Sequence, residues 1–172
     1  MEKKPVSYFV VGAILGMISV ILFLVYYFTG LAFQQNALSW LPTLISIALL
    51  SYFVVQYSNA LNHNVTFGSL FGYGFRSTII WTLIVVVFTF VILYIFPDYK
   101  EKFMEQVSLR MDKQSNLTEE QRDAGLKMTE KFFTVSVIGG SLFLNIIIGI
   151  VSSLIGAAIA KKNPVSPFNQ TV

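Results

Sequence analysis

Residues 77–96 read STIIWTLIVVVFTFVILYIF. The stretch holds no charged side chain, follows Arg76 and ends at Pro97-Asp98. Ile79-Ile80, Leu83 to Val87 and Val91 to Leu93 are rich in β-branched residues, which are poor helix formers in water. In lipid the backbone has no water to bond, so its N–H and C=O groups must satisfy each other within the segment. About 20 apolar residues span the roughly 30 Å hydrocarbon layer as a helix. The stretch therefore predicts a membrane-crossing helix in spite of its propensities.

Working outward, the same reading extends to most of the chain. Between Lys4 and Arg76 there is no Asp, Glu, Lys or Arg, and none between Arg76 and Asp98. The 172 residues are 55% hydrophobic and 12% charged, against about 25% charged in a soluble domain. Mean hydropathy is +0.67. A net charge of +3 without a Lys/Arg stripe gives no nucleic-acid surface. With no cysteine, disulfides, thiolate metal sites and Cys nucleophiles are excluded.

The expected fold is all-α: one membrane domain over residues 1–172, with four transmembrane helices and an amphipathic helical hairpin between the third and fourth. Span one covers about 6–28. It follows Lys3-Lys4 as a secretory signal would, but its apolar run exceeds the roughly 7–15 residues of a signal core. It ends in the aromatic cluster Tyr26-Tyr27-Phe28, so it reads as a retained span. The polar turn Gln34-Gln35-Asn36 leads to span two, about 38–57, with Trp40 as an interfacial anchor and Pro42 in the first turn. So short a link predicts that spans one and two form an antiparallel hairpin. Residues 66–75, with Gly68, Gly72 and Gly74 among aromatics, read as an amphipathic stub at the interface ahead of span three, 77–96. Span four covers about 132–160 and is closed by Lys161-Lys162, with Asn163-Pro164 as the stop.

Residues 98–131 carry 7 of the 12 Lys+Arg and 8 of the 9 Asp+Glu. Asp98-x-x-Glu101 and Thr118-x-x-Gln121 both have the capping-box pattern and predict helix starts. Tyr99, Phe103, Val107 and Met111 recur every four residues, an apolar stripe that reads as a partner-binding surface. Gln114 to Leu117 is the expected turn. Asn116-Leu117-Thr118 matches the N-glycosylation pattern, a weak signal that matters only in a eukaryotic lumen.

With four spans, Lys3, Lys4, Arg76, Lys161 and Lys162 fall on one side, and the first loop is uncharged. The positive-inside rule then places both termini in the cytoplasm. The seven Lys/Arg of the hairpin oppose this assignment, but eight acids accompany them and span one inserts before they are made.

Ser141, Asn145, Gly149 and Ser153 step by four along span four, with Gly156 alongside; Gly12 and Gly16 form a small-x-x-x-small pair in span one. Small residues let helices approach closely in lipid, so these read as packing positions, with Asn145 as polar glue between helices. Arg76 reads as an interfacial anchor whose stem snorkels to the headgroups. The single His63 has no Cys or carboxylate beside it and makes no metal site. The glycines at 68, 72 and 74 lack the Lys-Ser/Thr of a phosphate loop. No catalytic, cofactor or metal residues are expected.

Three features in order resemble a known family: the Lys-rich start running into span one, Thr66-Phe67-Gly68-x-x-Phe71-x-Tyr73-Gly74-Phe75-Arg76 before span three, and Phe96-Pro97-Asp98-Tyr99 opening the charged excursion. Over roughly residues 4 to 162 the chain resembles the bacterial membrane proteins grouped as domain of unknown function 4199. The resemblance implies four helices in a bacterial inner membrane and brings no activity or site residues with it. The expected role is that of a non-enzymatic accessory or interaction protein. Its partners would be the bilayer and a membrane protein or second copy of the chain, with no nucleic acid. The alternative is a small solute transporter or channel working as an oligomer.

Overall fold

The computed structural model describes residues 4–33, 37–113 and 118–163; the turns expected at 34–36 and 114–117, Asn116 and the tail beyond 163 lie outside them. Five helices follow in order: α1 Tyr8–Phe28, α2 Leu41–Ala60, α3 Phe67–Ile95, α4 Asp98–Asp112 and α5 Glu119–Ile159. Short 3-10 turns, Leu31–Phe33 and Ala37–Trp40, join α1 to α2. α1, α2 with its leading turn, α3 and α5 are each long and apolar enough to cross a membrane. The molecule is an all-helical, multi-pass membrane protein.

Two helices run longer than one bilayer crossing. At 1.5 Å per residue, the 41 residues of α5 reach about 60 Å, twice the hydrocarbon thickness. Its N-terminal third and the antiparallel α4 therefore stand outside the membrane as the charged hairpin. α3 starts at Phe67, ten residues ahead of the expected Ser77, because Thr66 caps it by accepting from Ser69 N at 3.2 Å. The glycine-rich lead-in is thus continuous with the helix of span three rather than a separate stub.

The bundle is apolar outside, and its interior mixes apolar side chains such as Leu15, Leu50, Leu70 and Trp81 with small hydroxylated ones. Val87, Phe90 and Tyr94 point outward, Tyr94 at 89% exposure, while Ser58, Ser77, Thr78, Ser152 and Ser153 are fully buried. In water such an exterior would aggregate; in lipid it is the required surface, and close contact between small residues supplies the cohesion.

Packing does not follow chain order. α1 lies on α3, α3 on α5 and α5 on α2, whereas α1 and α2 barely touch. The expected hairpin pairing of spans one and two is corrected in this respect. Glycines decide it: a Cβ on Gly12 would come within 2.6 Å of Ile80 Cβ, and one on Gly16 within 2.8 Å of Ile84, both on α3.

Candidate functional site

The two ends of the bundle are built differently. At the end shared by the termini, α2, α3 and α5 meet through small residues. Gly149 abuts Thr78, Gly74 abuts Ser153, and a Cβ on Gly156 would lie 2.8 Å from Val54 Cβ. Ser51 donates across the contact to Ser152 O at 3.0 Å. Ser58 donates to Lys161 O, and Asn163 N donates to His63 O at 2.7 Å, so the α2–α3 loop holds the end of α5. Asn62 and His63 adopt positive φ of 52° and 65° to make that turn. His63 is therefore a loop residue tied to α2, with Nδ1 3.3 Å from the Ser58 hydroxyl.

Toward the hairpin the helices part around a cavity of about 510 Å³. Val20 and Phe23 of α1, Ser46 of α2, Phe88 of α3 and Leu144 of α5 form its walls, and Tyr99 and Phe103 of α4 its roof. Ring contacts brace it: Phe23 meets Phe88 edge-on at 5.5 Å and Tyr99 at 5.9 Å, and Phe103 meets Phe133 at 5.3 Å. Among the described residues no charged side chain lines it. Most of its polar side chains bond within the protein. Trp81 Nε1 donates to Ser19 Oγ at 2.8 Å, and Tyr26 donates to Leu38 O at 2.7 Å. Ser46, Thr89 and Ser141 each donate to a carbonyl of their own helix.

The small-residue stripe of α5 divides between these ends. Gly149, Ser153 and Gly156 pack against α3 and α2 as expected of packing positions. Ser141 and Asn145 face the cavity instead. Asn145 donates to Ser141 O at 2.8 Å on its own helix, so it does not bridge helices as expected. Gly140, on the same wall, has nothing within 4 Å of where a Cβ would stand.

The stripe on α4 is turned inward. Tyr99 tilts against Tyr27 and Phe133, Phe103 lies on Phe133, and the Met111 methyl group approaches Gly125. None of Tyr99, Phe103, Val107 and Met111 is exposed. The reading of these four as an open partner surface is corrected: they are half-buried, with Tyr99, Phe103 and Met111 packed against α1 or α5. What the hairpin presents outward is mainly charged, with Leu109 and Met128 exposed among the charges. Lys100–Glu130 at 2.9 Å and Arg122–Asp112 tie α4 to α5, and Glu101 and Glu105 face solvent.

Asp98 does not cap α4 as its sequence pattern predicts. Pro97 occupies the cap position, and Asp98 lies in the first turn. Its carboxylate accepts from Lys102 Nζ and from the Tyr27 hydroxyl, both at 2.7 Å, which latches α4 to the end of α1. Lys102 first, then Tyr27, holds the Asp98 carboxyl below its ordinary range. Asp98 in turn raises Lys102, and burial raises Tyr99. Thr118 and Gln121 do form the capping box expected at the start of α5.

Arg76 lies on the exposed side of α3 near the termini, its guanidinium 6.0 Å from the Tyr8 ring centre. Trp40 is 69% exposed just before α2. Sequence reasoning missed the cavity and the latch. One signal pointed to the cavity: an indole N–H in mid-span needs an acceptor, and Ser19 of α1 supplies it. Among the described residues no group of three or more His, Cys, Asp or Glu is placed to hold a metal.

The model of a family described as a protein of unknown function, DUF4199, matches residues 11–162. No curated protein and no solved structure matches the chain.

Proposed function

The chain belongs to the DUF4199 family, and we propose that it is a non-enzymatic accessory protein of a bacterial inner membrane. It works by presenting the α4–α5 hairpin to a membrane-protein partner. The observation that carries this reading is the build of the hairpin: α5 runs unbroken out of the membrane, α4 is clamped to it, and the outward side is mainly charged. A stiff, charged projection suits a polar contact that weakens with salt. The hairpin stands in the periplasm in this reading, because Lys3, Lys4, Arg76, Lys161 and Lys162 keep the other side in the cytoplasm.

A photo-cross-linking residue at Glu101 or Glu105 is expected to trap one discrete protein in cells, in amounts that fall as salt rises. The same residue at Phe103, which faces inward, is expected to trap none. Lipid adducts alone at all three positions would sink the reading. Orientation is checked separately by cysteine labelling, which has no native background. Glu119→Cys should react with an impermeant maleimide from outside, and Asn62→Cys only after the membrane is opened. The solute-path alternative finds support in the cavity, whose described lining is mainly apolar and holds no charged side chain to bind an ion.

A further inference from the structure

We propose that the cavity at the hairpin end is a lipid-chain site, taking one acyl chain of a bilayer phospholipid that enters sideways between α1 and α2. Its size falls within the roughly 300–1,000 Å³ of sites for small organic molecules, at about 510 Å³. The chemistry of its wall selects hydrocarbon. Phe23, Phe88, Leu144 and Ile148 line it, and the hydroxyl hydrogens of Ser46, Thr89 and Ser141 and an amide hydrogen of Asn145 are spent on backbone carbonyls of their own helices. A water in a cavity needs two to four polar partners, and a wall of this kind leaves it few. An apolar space left empty forfeits dispersion contacts over its whole lining. The aromatic brace of Phe23, Phe88 and Tyr99 keeps the helices from closing on it.

The route follows from the packing. Val20 and Phe23 of α1 and Thr43 and Ser46 of α2 flank the cavity on either side of the α1–α2 seam, where the two helices are barely in contact. Tyr99 and Phe103 of α4 roof it on the hairpin side. Beyond the seam lies the hydrocarbon of the bilayer, whose chains are the most concentrated apolar molecules available. Gly140 on the α5 wall leaves room for the chain to lie against the helix.

The chain's two tryptophans are Trp40 and Trp81, and Trp81 lies on the cavity wall at 2% exposure. The test uses the full-length protein with Trp40→Phe, reconstituted in phospholipid carrying brominated acyl chains, which quench indole emission on contact. Trp81 is expected to lose most of its emission there and little of it to aqueous acrylamide. Gly140→Phe, which fills the space, is expected to restore the emission; Gly140→Leu is the milder filling variant should the ring hinder folding. Native mass spectrometry should show one phospholipid retained by the parent protein and lost from the filled variant. Quenching by acrylamide equal to that by the lipid would mean a wet cavity and would overturn the proposal. So would brominated-lipid quenching that neither filling variant reduces, because it would come from lipid at the outer surface.

Discussion

The end of the bundle that holds the termini and the end beneath the hairpin use the same helices and similar residues to opposite effect. Gly149 and Gly156 sit where no Cβ fits, whereas Gly139 and Gly140, earlier on α5, have open space around them. Ser51 bonds across a helix contact, while Ser141 and Asn145 bond back to their own helix. The difference teaches that a small residue in a membrane helix permits close approach without requiring it. A large residue opposite, here the rings of Phe23, Phe88 and Tyr99, decides whether the space is closed.

The largest effect expected from this contrast comes from filling each end in turn. Gly149→Leu must displace Thr78 from the α3–α5 contact, and overpacking of this kind costs about 1–3 kcal/mol or more. Gly140→Leu enters open space and is expected to leave stability unchanged or to raise it. Thermal unfolding of the purified variants in detergent micelles compares them directly. Equal losses from both substitutions would break the comparison between the two ends.

An intermediate effect, with opposite signs, is expected at two neighbouring residues where the packed end gives way to the cavity. Ser19→Ala takes away the acceptor of the Trp81 indole N–H, and an orphaned buried donor costs about 1–3 kcal/mol. Thr82 Oγ1 is the one buried side-chain polar atom among the described residues without a hydrogen-bond partner. Thr82→Val removes that hydroxyl at nearly constant shape and is expected to stabilise by up to about 1 kcal/mol. Loss of stability in Thr82→Val would mean that the hydroxyl has a partner after all.

Much of the fold was legible because the decisive rule is one-dimensional. A charge-free run of sufficient length must be a helix in lipid, and Ser77–Phe96 obeys it against its β-branched composition. The Thr118 cap was legible for the same reason, since it needs only the next three residues. The site was less so. Spacing by four along α5 places Ser141 and Gly149 on one face, but it carries no information on how far away the neighbouring helix lies. The inward turn of Tyr99 depends on Phe23 and Tyr27, more than 70 residues away. The Asp98 latch likewise joins residues 71 apart, and a local capping pattern concealed it.

That latch gives the smallest expected effect and sharpens the comparison, because it holds the roof over the open end and has no counterpart among the described residues of the packed end. Lys102 and Tyr27 both bond the ionised Asp98 carboxylate, so its affinity for protons is lower in the folded protein than in the unfolded chain. A carboxyl depressed in this way contributes its stabilisation above its unfolded pKa and loses it as pH falls through the folded one. Docking of α4 is therefore expected to be constant from neutral pH through mild acid and to loosen only below the ordinary carboxylate range. The Asp98 and Lys102 side chains are exposed to solvent, so the change should be small and weakened further by salt. Phe103→Cys, whose thiol would lie under the docked helix, reports the change through its rate of alkylation as pH is lowered, compared with an exposed cysteine at Glu105 to correct for thiol ionisation. Asp98→Asn should raise the corrected rate at neutral pH and flatten its dependence on pH. If the Phe103→Cys rate rises already between pH 7 and 5 and Asp98→Asn leaves that rise unchanged, a different group holds the roof.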